Sequence, residues 1–204
     1  MKKLIILFAI LILSQANIAD ASGVVAAKFV VDKSQSYIQF SGKHAGKEFK
    51  GEFEEWEAEI EFDANNLQES SVVVIIDTGS AKTGDAIYDG TLPNKDWFDV
   101  KNYQKSIFKS RKISKNGETT KGGTKKGETF TMIGDLTIKN ITQAMQFDFA
   151  LSSQVDDTQN TKTIAKFALP FSRLKFGIGV ESDAEAEWVD DEIKLEVLVV
   201  SRPK

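Results

Sequence analysis

The sequence predicts an all-β fold of eight or more antiparallel strands, closed as a barrel or packed as a sandwich. Three observations carry this. Short apolar runs alternate with polar residues along most of the chain, turn-forming residues separate them at short intervals, and no segment sustains a 3.6-residue period. Helix is expected only as a turn or two within one long connection after Ile76.

The N-terminus bears on the compartment. Lys2 and Lys3 precede an apolar run of ten from Leu4 to Leu13, and Ala19-Asp20-Ala21 forms a small-x-small cleavage site before Ser22. This reads as a secretory signal peptide over residues 1–21, since a membrane span needs roughly twenty apolar residues. Export to the periplasm or the exterior is therefore expected, with a short extension over 22–27 and one domain from Lys28 onward. The full chain has a formal net charge of −4; without Lys2, Lys3 and Asp20 it keeps 24 basic and 29 acidic side chains, a net of −5. Nucleic acid is an unsuitable partner for such a chain. Cysteine is absent, which removes disulfides, thiol catalysis and thiolate metal sites together.

Phe29 to Asp32 and Ser36 to Lys43 read as strands separated by Lys33-Ser34-Gln35, and His44-Ala45-Gly46 as the turn that follows. In Glu48 to Asp63 the apolar phase moves from odd positions (Phe49, Phe53) to even ones (Trp56, Ile60, Phe62), which predicts a bulge or turn at Glu54-Glu55. Glu55, Glu57, Glu59 and Glu61 then line the other face, the spacing of a solvated strand face rather than of a cation site. Val72 to Ile76 is a buried strand. It leads into residues 77–99, rich in Gly, Asp, Thr and Asn yet carrying Ile87, Leu92, Trp97 and Phe98, an ordered cap with a cavity to cover.

Ser106 to Ser114 alternates with neither face cleanly apolar, and Asn116 to Gly127 reads as a long hairpin loop. Glu128 to Ile138 shows the cleanest alternation in the chain. Lys139 to Thr142 is a turn that also matches a glycosylation sequon, and the strand of Met145, Phe147 and Phe149 follows. Asp156 to Asn160 turns into Ile164 to Phe171, and the last two strands are expected at Ala184 to Val189 and Ile193 to Ser201. The inward-facing residues, among them Phe40, Phe53, Phe147 and Phe149, are rich in phenylalanine. Periodicity leaves open whether they fill the interior or line a hollow.

His44 is the single histidine, and no Gly-x-Ser-x-Gly elbow is present. A Ser-His-Asp hydrolase or a zinc centre would have to use His44, so it reads as a turn residue or a mouth contact. Arg173 is read as a rim residue or as an ion-pair partner of Asp85, Asp89 or Asp99. Asp77, Asp85 and Asp89 read as turn formers ahead of acid-base groups. Trp97 and Phe98, being adjacent, cannot both face one way.

Several blocks in order resemble the bacterial YceI-like family: Val31 to Ser36 with Phe40 and His44; Gly51-Glu52-Phe53 with Ile60 to Asp63; Val74 to Gly84; Asp89 with Leu92 and Asp96 to Val100; Phe108-Lys109-Ser110; Gly134 to Ile138; and Arg173 with Phe176 to Gly179. The resemblance spans about Phe29 to Val199. It implies an exported, eight-stranded, extended lipocalin-like barrel with a short helical cap. The implied function is a non-catalytic carrier, with no cofactor or metal, holding a polyisoprenoid or quinone-like lipid. A homodimer is left open. With the inward faces it nominates Phe40, His44, Asp85, Asp89, Trp97, Phe98, Phe147, Phe149, Arg173 and Phe176 for ligand contact. Where the family tends to carry Arg-Asp and His-Leu in the cap, this chain has Tyr88-Asp89 and Thr91-Leu92, which favours a neutral head group over a pyrophosphate. The alternatives are a filled barrel acting in structure or stress response, and a hydrolase on the same scaffold.

Overall fold

The computed structural model describes residues 26–121, 124–155 and 159–204. The leader expected over 1–21 and part of the turn expected at Asp156 lie outside these residues. No helix among the described residues is long and apolar enough to cross a membrane.

Among the described residues, eleven strands form one antiparallel sheet: β1 (Ala27–Val31), β2 (Tyr37–His44), β3 (Lys47–Phe53), β4 (Trp56–Phe62), β5 (Ser71–Asp77), β6 (Ala81–Lys82), β7 (Lys105–Lys121), β8 (Thr124–Ile138), β9 (Ile141–Val155), β10 (Thr161–Ser172) and β11 (Glu192–Pro203). The order β1-β4-β5-β7-β8-β9-β10-β11 returns to β1, so eight of them close a barrel. Closure removes the free edges that an open sheet of this size would present. β11 has two partners on one side: its last residues pair with β1, and Lys194 to Leu198 pair with Ser41 to Tyr37 of β2. β1 and β2 are thus two legs of one stave, broken by the 3₁₀ turn at Lys33–Gln35 whose cap is the Asp32 carboxylate. β3 and β6 extend the wall beyond β2.

The expected corner at Glu54-Glu55 is present, because β3 pairs with β2 and β6 whereas β4 pairs with β1 and β5. The Ser80 hydroxyl accepts from the Glu55 N–H at 3.0 Å and fixes that bend. Two hairpins turn on paired left-handed residues, Ala45 (φ 49) with Gly46 (φ 76) and Lys139 (φ 49) with Asn140 (φ 60). That is the geometry whose twist suits a two-residue β-hairpin.

Two expectations are corrected, and one is explained. Asn116 to Gly127 is not a loop: β7 and β8 stay paired through Lys121↔Thr124. The Ser106 to Ser114 strand looked two-faced because the β7–β8 register shifts between Ser110 and Lys112, so inward positions pass from Phe108 to Ile113. Gly134 sits opposite this bulge, where a Cβ would lie 2.5 Å from the Lys109 carbonyl oxygen and 2.5 Å from the Phe108 ring. Only glycine lets the ring lie so close to the wall.

The second correction concerns Ala184 to Val189, which is not a strand but part of an irregular segment between Arg173 and Asp191. That segment and residues 78–104 together cover one end of the barrel. The single α-helix among the described residues, α1 (Ala86–Thr91), lies in this cover as expected, while short 3₁₀ turns occur elsewhere as well.

Candidate functional site

Two apolar chambers lie along the barrel. The first is a tube inside the staves. Alternate residues of β4, from Trp56 to Phe62, and of β5, from Val72 to Ile76, supply part of its wall, and Phe108, Phe147, Phe149 and Phe167 much of the rest. The rings pack on one another, Phe147 against Phe167 at 4.4 Å and Phe108 against Phe147 at 5.7 Å between centroids. The side chains leave a cavity of about 140 Å³ between them. The interior is therefore hollow in part. Lys33 Nζ lies 3.3 Å from the centroid of the Trp56 ring, and Glu57 and Glu59, on the opposite face of β4, face solvent.

The second chamber, of about 250 Å³, lies under α1 and is lined by Phe40, His44, Phe49, Tyr88, Trp97 and Val189 among others. Along β2, Ile38 faces the tube and Phe40, two residues on, faces the cap chamber. One inward step thus separates the two. His44 Nδ1 and the Tyr88 hydroxyl are 2.8 Å apart, with their rings edge to face at 5.5 Å. This contact ties α1 to the rim of β2 and gives the chamber a paired polar edge, to which Thr83 and Thr91 add the other polar side chains of its lining.

Of the residues nominated from the sequence, Phe147 and Phe149 line the tube, and Phe40, His44 and Trp97 line the cap chamber. The others lie elsewhere. Phe98 turns away from Trp97 into the core, 5.9 Å from the Phe53 ring, as adjacent aromatics on an irregular segment require. Asp85 caps α1, its carboxylate accepting from the N–H groups of Ile87 and Tyr88. Asp89 accepts from the Thr83 N–H and hydroxyl, both at 2.7 Å, and these bonds lower its pKa. Phe176 is buried beside Phe171 outside both chambers.

Arg173 reaches neither chamber and pairs with none of Asp85, Asp89 or Asp99. It is 1% exposed, and its partner is Asp183, at 2.7 Å. Its guanidinium also donates to the carbonyls of Ile178, Val189 and Asp190. Gly179 (φ 74) allows this, since a Cβ there would lie 2.5 Å from Arg173 Nη1. The Asp183 carboxylate in turn accepts the N–H groups of Glu187, Trp188 and Val189. Burial alone would raise its pKa; those backbone bonds and the Arg173 charge outweigh it, and the net shift is downward.

Sequence reasoning did not single out Tyr88 as a site residue, nor Thr163 and Ser201 in the tube. Thr163 shares inward parity with Ala165, Phe167 and Leu169, and Ser201 with Val197 and Val199, so strand period alone could have placed both.

An antiparallel barrel of eight staves with an apolar tube and a covered end defines a lipocalin-like cavity protein. The sequence profile of the YceI-like domain matches residues 29–201, and the chain belongs to that family. A UPF0312 protein of Yersinia enterocolitica is 29% identical over 140 residues, covering 67% of this chain and 68% of its own. The crystal structure of BcnA from Burkholderia cenocepacia superimposes with a TM-score of 0.69 at 25% identity, covering 84% of this chain and 99% of that one. A polyisoprenoid binding domain from Saccharophagus degradans has the same fold, with a TM-score of 0.63 at 11% identity over 87% of this chain and 99% of that one.

Proposed function

We propose that the protein is an exported carrier or sequestering protein that holds a polyisoprenoid or similar long-chain lipid non-covalently, its tail in the tube and its head in the cap chamber. The observation that carries this reading is the composition of the tube wall, built from aromatic and aliphatic side chains around open space. Burying apolar chain contributes about 0.8 kcal/mol per methylene, so ten methylenes supply about 8 kcal/mol, the scale of micromolar binding before ordering costs. A structural relative of the same fold is itself a polyisoprenoid binding domain.

The polar groups near the mouth support a neutral head. His44 and Tyr88 present one ring nitrogen and one hydroxyl, and the carboxylates of Asp85 and Asp89 are occupied by backbone and hydroxyl donors. A quinone or an amide, which accepts one or two hydrogen bonds, suits that edge better than a diphosphate. The same occupancy disfavours a hydrolase, because the single histidine and the nearby carboxylates form no nucleophile-base-orienter chain. A barrel filled by its own side chains is disfavoured by the open tube.

Titration of the purified protein with a long-chain prenyl quinone tests the reading. Saturable binding at one lipid per chain is the expected result. Failure of any prenyl lipid to bind would reject the carrier.

A further inference from the structure

Among the described residues that line the tube, two carry polar side chains, Thr163 and Ser201. They are not scattered. Thr163 lies directly opposite Ser201 across the β10–β11 ladder, on the inward face of both strands and at the end of the barrel away from the cap. Ser201 is only 6% exposed, and its hydroxyl has one contact among the described residues, to the Thr163 carbonyl oxygen at 3.5 Å. That is well beyond the usual 2.5–3.0 Å of an O–H···O bond, so the group sits buried with its hydrogen-bonding capacity almost unused.

A tube meant for plain hydrocarbon would gain from alanine or valine at both positions, which suit a strand and leave no polar atom in an apolar wall. Directly opposed residues on one sheet face have Cβ atoms about 4.5–5.5 Å apart, so a single oxygen placed between them can reach both hydroxyls. On β11, Leu195 lies opposite Phe40 of the cap chamber and Ser201 is six residues further on, about 20 Å of strand at 3.3 Å each. The two hydroxyls thus lie a chain's length from the cap chamber.

We propose that Thr163 and Ser201 form a subsite for a hydrogen-bonding oxygen at the far end of the bound chain, so that the protein selects long-chain lipids polar at both ends, such as ω-hydroxylated chains. This rests on the carrier reading above.

The test compares 16-hydroxyhexadecanoic acid with hexadecanoic acid on the full protein and on the Ser201→Ala and Thr163→Val variants, with thermal unfolding recorded alongside. The expected result is that each substitution weakens the hydroxylated chain by about tenfold, leaves the plain chain unchanged or tighter, and does not lower the Tm, since the lost hydroxyl had no good partner. Binding of the plain chain with equal effects of the substitutions on both ligands would overturn the subsite and leave the carrier standing. A lowered Tm with equal loss of both ligands would assign Ser201 to structure and likewise overturn the subsite. Binding of a long-chain prenyl quinone but of neither of these chains would overturn the subsite and leave the carrier standing, and binding of none of the three would overturn both.

Discussion

The guanidinium of Arg173 meets the carboxylate of Asp183 at 2.7 Å in the interior of the barrel's cover, with both side chains buried. Between them they hold most of the irregular segment from Ile178 to Asp190: Arg173 through its carbonyls, Asp183 through its amides. Val189 lines the cap chamber, so the pair shapes that chamber from behind without touching its contents. Removing one partner of a buried ion pair strands the other charge, at a cost of about 3–5 kcal/mol. Arg173→Leu is expected to lose that much in urea unfolding. If it instead kept its stability and lost only lipid affinity, Arg173 would be a head-group contact rather than a brace of the cover.

The acid limb of stability follows from the same pair. A carboxylate whose folded pKa lies below its unfolded value contributes stability that is complete above the unfolded value and is lost as pH falls through the folded one. Asp183 and Asp96 both lie below the ordinary 3.8. For Asp96 burial opposes the shift, and bonds from the Ser182 hydroxyl and the N–H groups of Glu181 and Ser182 overcome it. Unfolding free energy should therefore be level above pH 3.8 as far as these groups are concerned and fall below it. In Asp183→Asn the neutral-pH stability should drop and the acid limb flatten, and parallel pH profiles for the two proteins would refute the assignment.

Tyr88 is the cap's tie to the barrel. Tyr88→Phe keeps the ring and removes the 2.8 Å contact with His44. A stability loss of about 0.5–1.5 kcal/mol is expected, with faster release of a bound prenyl quinone in a competition assay. Unchanged release would show that the cap moves as freely with the contact as without it.

A ring added where space is open strains little, whereas the same ring in a packed core costs about 1–3 kcal/mol. Phe147→Trp should consequently reduce lipid affinity more than it reduces stability, because Phe147 borders the tube. Calorimetry with and without lipid separates the two effects. A large stability loss with unaltered affinity would mean that the tube is closed in solution.

Gly134→Ala probes the wall itself. The added methyl would meet the Lys109 carbonyl and the Phe108 ring, both at 2.5 Å, and the carbonyl cannot rotate away. About 1–3 kcal/mol of destabilisation is expected in chemical unfolding. No loss would show that the β7–β8 bulge shifts to accommodate it.

The strands of the barrel were readable where each face meets one environment throughout, as in β8, where Phe130, Met132, Leu136 and Ile138 are buried and Asp135 carries an ion pair on the outside. Reading failed where a distant contact sets the backbone. Ala184 to Val189 alternates like a strand, yet the Asp183 carboxylate draws three successive amides toward itself and Ala186 is forced to φ 52. Asn116 to Gly127 has loop composition, but β7 and β8 offer each other partners almost to the turn. For the site, the cap and its facing aromatics were legible because a long connection with large apolar residues must cover something. The partner of Arg173 was not, since nothing in local pattern points from it to Asp183.

The central claim, a long-chain lipid with a neutral head held in the tube, is tested most directly by native mass spectrometry of the protein purified from its own host, with the released ligand identified. The result predicted is one lipid per chain, carrying a long apolar tail and an uncharged head such as a quinone or an amide. A prenyl diphosphate as the main species would contradict the reading of the head group, and a protein that carries no lipid and takes up none would contradict the carrier itself.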